Sequence, residues 1–449
     1  MSDHVYDAER FPTLGEAGGR MLDFMRNHPA APLFRNASGN RLLATEVEQL
    51  RDFERAVDGA NIGWAPGQPP AWIAGHVESV FANVPHYREL GSPPLRFEDI
   101  APVNRSDFAA DIARFVPDHV PLERMINFRT TGTTGHPLLI ASHPVVAARY
   151  LAFHKRALRR FGIELTHGAG QVGVVLLGFQ RTCFTYVSVT PTMGESGLAK
   201  INLHPDDWRD ADDRARYLDA LAPEVVAGDP ISFTELLSLP LTMRPRALIS
   251  VSMMLLPGLR AQLEQRFGCP VLDIYSLNEV GPVGVYDPVA GAHVLLQPQL
   301  YVEILDREGK AVAPGERGEI AVTGGFNFCL PLLRYRTGDH AELQPASEGP
   351  LLVDLCGRTP VRFRLANGEW INNIDITHAL KSLPLAHFGF HQAADGALTL
   401  RLTSSAMHLA YPARALLAAL FGNQPVAVAL LTAEDKIVQY TSDLDGALA

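Results

Sequence analysis

Between Arg129 and Pro137 the chain reads Arg-Thr-Thr-Gly-Thr-Thr-Gly-His-Pro, a stretch too small and too polar to form core. Gly132 and Gly135 let backbone N–H groups turn outward toward an anion, and Thr130, Thr131, Thr133 and Thr134 add hydroxyl donors around the same volume. This chemistry suits phosphate. The competing reading is an ordinary Thr/Gly surface turn, since short glycine-rich loops are weakly specific. The P-loop of nucleotide hydrolases is excluded, because it needs Gly, four residues, then Gly-Lys-Ser/Thr.

Four later segments follow in fixed order: Tyr275-Ser-Leu-Asn-Glu-Val-Gly-Pro282, Leu333-Arg-Tyr-Arg-Thr-Gly-Asp339, Gly357-Arg-Thr359 and Asp435-Lys-Ile437. With the Thr/Gly loop they resemble the adenylate-forming enzymes, and within them the phenylacetate–CoA ligase branch, from about Phe81 to the C-terminus. That resemblance implies ATP-dependent activation of a carboxylic acid, aromatic by analogy, as an acyl-AMP with loss of pyrophosphate, then transfer to the thiol of CoA. A stand-alone adenylating enzyme that feeds a carrier protein or a reductase is the alternative acceptor chemistry. A nucleotide-binding relative without catalysis is the rival of another class.

Roles for named residues come from the same resemblance. The loop Thr130–His136 would hold pyrophosphate, with Thr134 grouped among the catalytic residues, and Glu279 would bind Mg²⁺. Tyr275 would stack on adenine beside Asn278, Asp339 would take the ribose diol, and Arg358 would add a forked contact to ribose or phosphate. Lys436 would bridge the reacting carboxylate and the α-phosphate, although Asp435 and Gln439 replace the family's flanking glycine and arginine. Phe179, Phe184, Tyr186 and Ser276 are the candidates for the acyl pocket, with ordinary core packing as the alternative for the aromatics.

Other departures from the pattern carry expectations of their own. His136 stands where relatives have lysine, so ATP or pyrophosphate affinity is expected to weaken as pH rises from 6 to 8. Pro360 occupies the pivot between two domains and fixes its φ, which is expected to hinder the second half-reaction. Ser250-Val-Ser-Met-Met254 replaces the usual adenine-contact segment, and Asn278 replaces a hydroxyl residue.

Elements must position these residues. From Pro144 to Tyr275, helical patterns alternate with short apolar runs at Gln171–Leu177, Glu224–Ala227, Ala247–Val251 and Val271–Tyr275, with helices clearest at Asp206–Leu221 and Pro257–Phe267. Such alternation predicts parallel strands with crossover helices, and ligands at the carboxyl ends of strands. After His293 the period becomes two, as in Tyr301–Leu305 and Gly318–Thr323, and predicts antiparallel strands. The expected architecture is α/β: a large domain over 1–357, mostly helical to residue 125, and a small α+β domain over 358–449 with a helix at Tyr411–Phe421 and a strand at Pro425–Leu431.

Composition narrows the class further. At 449 residues and 47% hydrophobic the chain can bury more than one core. A net charge of −10 argues against a nucleic-acid platform, and no apolar run approaches a membrane span. The N-terminus lacks an apolar signal segment, and Cys183, Cys269, Cys329 and Cys356 are scattered as reduced thiols would be, so the expected compartment is the cytoplasm. A homodimer is compatible with all of this.

Overall fold

The computed structural model describes residues 8–129, 138–180, 183–357, 361–432 and 438–444. Apolar runs form one half of a 12-stranded sheet. Its strands are β3 (Val172–Gly178), β4 (Tyr186–Thr190), β5 (Ser196–Asn202), β6 (Val225–Gly228), β7 (Ala247–Ser250), β8 (Val271–Leu277), β9 (Gly281–Asp287), β10 (Ala292–Leu295), β11 (Leu300–Leu305), β12 (Arg317–Gly324), β13 (Leu332–Gln344) and β14 (Leu351–Cys356). The order across the sheet is β11-β12-β13-β14-β10-β9-β8-β7-β6-β3-β5-β4. Strands β5, β3, β6, β7 and β8 run parallel, β4 closes their edge antiparallel, and everything from β9 onward is antiparallel. A separate hairpin pairs β1 (Ile126–Arg129) with β2 (Leu139–Ser142).

The parallel half is covered on both faces. Val175, Val226, Leu248 and Val271 pack with Leu218, Phe233, Leu259 and Leu263 of the crossover helices Asp213–Leu221, Pro230–Ser238 and Pro257–Phe267. The neighbouring residues of the same strands, Val225, Ala247, Ile249, Leu272 and Ile274, pack on Phe153 and Ala157 of the helix Pro144–Arg160. Period-two alternation therefore assigns each strand residue to one of two cores. The expected helix Asp206–Leu221 begins only at Asp213: Asp207 is buried against Arg35 and Asn202, and that tertiary pairing holds 205–207 in a short turn instead.

One buried ion pair ties the antiparallel half to the helical lead-in. Arg334 is 1% exposed and spends all five N–H donors: Nε and Nη2 on Glu303 (3.2 and 3.3 Å), Nη1 on the carbonyls of Glu98 and Ile100, and Nη2 on that of Gly309. Full satisfaction is what makes a buried charge tolerable. Just beyond, Val103 bridges Tyr335, and Arg336 N–H donates to the Val103 carbonyl at 2.8 Å. The lead-in is thus registered against β13.

A further core runs from Val361 to Tyr440, with Leu256 reaching in from the start of the helix Pro257–Phe267. It contains a hairpin of β15 (Arg362–Arg364) and β16 (Trp370–Asn372) and a four-stranded sheet of β17 (Phe388–Gln392), β18 (Leu398–Leu402), β19 (Val426–Leu430) and β20 (Tyr440–Ser442), ordered β19-β18-β17-β20, with a helix at Ala410–Leu420. It docks at the start of helix Pro257–Phe267, where Gly258 N–H donates to the Lys381 carbonyl at 2.8 Å. A Cβ on Gly258 would lie 2.5 Å from the Ser382 carbonyl oxygen. All four cysteines are free and buried, and no helix of the described residues is long and apolar enough to cross a membrane.

Candidate functional site

Strand β8 lies where the parallel half meets the antiparallel one, and its carboxyl end delivers Tyr275. Leu277 pairs with Gly281, so Asn278, Glu279 and Val280 form the turn into β9. Gly281 is required there on two counts: its φ is +74°, and a Cβ would sit 2.6 Å from the Phe326 ring. The tight turn folds Glu279 inward, leaving it 6% exposed.

Two groups hold that carboxylate. Tyr335 Oη donates to Oε1 at 2.9 Å, and an Arg105 guanidinium nitrogen lies 3.9 Å from the same oxygen. Burial, with Glu279 beside it, pushes the Tyr335 phenol well above its ordinary range, so it stays protonated and donates. Arg105 opens a helix fixed by a reciprocal cap, with Ser106 N–H on Asn104 Oδ1 and Asn104 N–H on Asp107 Oδ2, both 2.8 Å. Glu279 Oε2 has no hydrogen-bond partner among the described residues.

Tyr275 and Asp339 meet directly, Tyr275 Oη donating to Asp339 Oδ2 at 2.8 Å. The two residues belong to strands four places apart in the sheet order, so the antiparallel half must curl over to bring β13 back to β8. Gly338, at φ +82°, makes the local turn and donates its N–H to Glu319, while Asp339 N–H donates to Thr337 Oγ1 at 3.1 Å. Gly357 stands beside Asp339, with its hypothetical Cβ 3.5 Å from Oδ1. The start of β2 approaches the same region, since Leu138 and Ile140 are buried in one cluster with Val280 and Tyr335.

The structure therefore brings Tyr275, Glu279 and Asp339 to one place. Thr130, Thr131, Gly132, Thr133, Thr134, Gly135, His136, Arg358, Pro360 and Lys436 lie outside the described residues. Asn278 is exposed, its carbonyl accepting from Tyr150 Oη at 3.3 Å, and Ser276 is half-buried at the end of β8. The aromatic segment lies elsewhere on the sheet. Phe179 packs on the core of the crossover helices with its ring 5.8 Å from His204, whereas Phe184 is 51% exposed and stands edge-on to Tyr186 on β4, the outermost strand, five places from β8. No described contact joins these three to Tyr275.

Sequence reasoning missed several participants. Tyr335 and Thr337 stood in the quoted Leu333–Asp339 segment, and period-two spacing from Asp339 was the available signal. Arg105 carried none, because its approach depends on the Arg334 clamp. Asp273 could have been found as the one acid in the apolar run Val271-Leu-Asp-Ile274. It lies on the Tyr275 face of β8, 3.7 Å from Arg260, and burial pushes its carboxyl up to about 7 despite that guanidinium. His293, edge-on to Tyr275 at 6.5 Å, is driven down to about 3 by burial and stays neutral.

No family model matches the sequence. Among curated proteins the chain is similar to phenylacetate–coenzyme A ligase of Pseudomonas putida, 34% identical over 97 residues (21% of this chain, 22% of the relative). The enzyme of the same name from Aromatoleum evansii is 24% identical over 296 residues, 60% of this chain and 64% of the relative. The matched stretches thus span about a fifth and somewhat under two thirds of those relatives. Among solved structures, 2-hydroxyisobutyryl-CoA ligase in the postadenylation state with R3-HIB-AMP superimposes with a TM-score of 0.62 at 16% identity, covering 86% of this chain and 95% of that one. Its open form with 2-HIB-AMP and CoA gives 0.54 at 15% identity, covering 92% and 99%. The chain accordingly has the fold of the adenylate-forming acyl-CoA ligases and, over part of its length, a sequence similar to that of phenylacetate–coenzyme A ligases.

Proposed function

We propose that this protein activates a carboxylic acid, aromatic by analogy with its sequence relatives, as an acyl-AMP and passes the acyl group to the thiol of CoA. The observation that carries the reading is the Tyr275–Asp339 hydrogen bond formed beside the inward-turned Glu279, at the carboxyl end of β8. Ligands of sheets with parallel strands bind at such an edge.

In the first step a carboxylate oxygen attacks the α-phosphorus of ATP, the bond to the bridging oxygen breaks, and pyrophosphate leaves with the electron pair. The Asp339 tether on Tyr275 Oη fixes the ring plane on which adenine stacks, and Asp339 accepts from the ribose hydroxyls. Glu279, with Tyr335 and Arg105 on Oε1, is the residue that would hold Mg²⁺. The described residues contain no group of three or more His, Cys, Asp or Glu that would cage a metal. A single carboxylate fits Mg²⁺, which when bound would supply charge neutralisation on the phosphates. The Thr130–His136 loop is assigned to pyrophosphate, and Arg358 and Lys436 to the nucleotide and the reacting carboxylate. In the second step the CoA sulfur attacks the acyl carbon, AMP leaves, and the small module of residues 358–449 is the part assigned to reorganise.

ATP–pyrophosphate exchange across a panel of aromatic and aliphatic acids tests this. Acid-dependent exchange with at least one member is expected. Tight AMP binding with no exchange for any acid would leave a nucleotide-binding relative instead. Free CoA and a phosphopantetheinylated carrier, offered side by side, identify the acceptor.

A further inference from the structure

A cavity that neither Tyr275 nor Asp339 lines sits beside the turn into β9. It measures about 590 Å³ and is walled by the helices Ala44–Gly59, Trp72–Asn83 and Pro144–Arg160 and by the segments 297–299 and 325–331. That volume suits a small ligand. Its lining is mostly apolar, with Phe53, Phe153, Phe326 and Phe328 supplying rings, and among the described residues no aspartate or glutamate lines it.

Arg149 projects into this setting from the helix Pro144–Arg160. Its guanidinium carbon stands 4.6 Å from the Phe53 ring centroid and 5.5 Å from that of Phe328. Nη1 donates to the Phe326 carbonyl at 3.0 Å, Nε is buried without a partner, and Nη2 makes no hydrogen bond among the described residues. It also pairs with no described carboxylate, in a chain of net charge −10 where most internal arginines do. Burial without a counter-ion disfavours its charge. An anion in the cavity would restore the balance, and the phenyl walls would hold an apolar body.

We propose that this cavity binds a small monocarboxylate, with the carboxylate on Arg149 Nη2 and the hydrocarbon among Phe53, Phe153, Phe326 and Phe328. The site is distinct from the one assigned to the reacting acid and does not rest on the proposed ligase activity. It touches that machinery at the turn beyond Glu279, where Phe326 packs against Gly281 and Gln297 Nε2 donates to the Val280 and Pro282 carbonyls at 2.7 Å.

Calorimetric titration of the full-length protein with sodium benzoate, without ATP, tests the proposal. One saturable site is expected, about tenfold or more weaker for neutral benzamide and in Arg149→Gln, the order of one charge-assisted hydrogen bond. Arg149→Lys should restore part of the affinity, and Asp339→Ala should leave it unchanged. Ala56→Trp, at the exposed mouth, should abolish binding without altering the thermal midpoint, and it serves if the Arg149 variants fold poorly. Equal benzoate affinity in wild type and Ala56→Trp, or no saturable binding at millimolar concentration, overturns the site whatever the exchange assay shows.

Discussion

The two halves of the sheet place carboxylates in different ways. In the parallel half both faces are covered, so Glu279 reaches the site only from a turn beyond the strand, and the one acid inside the strand, Asp273, is pushed up to about 7. In the antiparallel half Asp339 sits within β13 itself, its carboxylate accepting from Tyr275 Oη and its N–H donating to Thr337 Oγ1, while Glu319 accepts from Gly338 N–H next door. Curling lets an antiparallel strand present a polar side chain from its middle; a parallel strand under helices has only its end to offer.

The contrast can be broken most forcefully at the Arg334 clamp. Arg334→Met strands Glu303 in the interior, and a loss of about 3–5 kcal/mol is expected by urea denaturation, against little loss for a joint apolar replacement of both partners. Should the single variant cost no more than the double, the clamp does not organise the antiparallel half.

At the junction, Glu279→Gln is expected to lower acid-dependent exchange by about 100-fold or more with the fold intact, and Tyr335→Phe by about tenfold. Comparable rates for wild type and Glu279→Gln would mean that the turn beyond β8 is only structural. Tyr275→Phe keeps the ring but loses its tether to Asp339, so the KM for ATP is expected to rise about tenfold with kcat nearly unchanged.

Asp273→Asn gives the smallest and most diagnostic effect. With a folded-state value near 7 against 3.8 unfolded, the unfolded chain has lost this proton above about pH 4 while the folded chain retains it, so wild-type stability falls as pH rises toward 7. Relative to Asp273→Asn, that slope is about 1 kcal/mol per pH unit between 5 and 6. Parallel slopes for the two proteins would show that the acid is not held protonated. His293, forced neutral, acts in the opposite sense and is common to both.

Much of this was legible from residue order alone. The runs at 171–177, 224–227, 247–251 and 271–275 gave strands within a few residues, because a strand buried on both faces needs continuous apolar sequence. Tyr275, Glu279 and Asp339 could be named because each sits in a motif whose neighbours are unusual for a loop. The hairpin that follows Glu279 was not read, since Gly281-Pro-Val-Gly284 lacks alternation. Arg105 could not be read either, its position being set by Arg334, more than two hundred residues away. Aromatic content carries no information on place: Phe184 stands edge-on to Tyr186 of the edge strand β4, five places from β8.

The seam at Gly258 sets how closely the C-terminal body meets the helix Pro257–Phe267. There the polypeptide backbones meet at a bond to Lys381, closed so tightly that a single methyl group would collide with Ser382, and the Leu256 side chain enters the C-terminal core beside it. Neither the backbone bond nor the buried Leu256 side chain is charged, so salt gives little purchase on this contact.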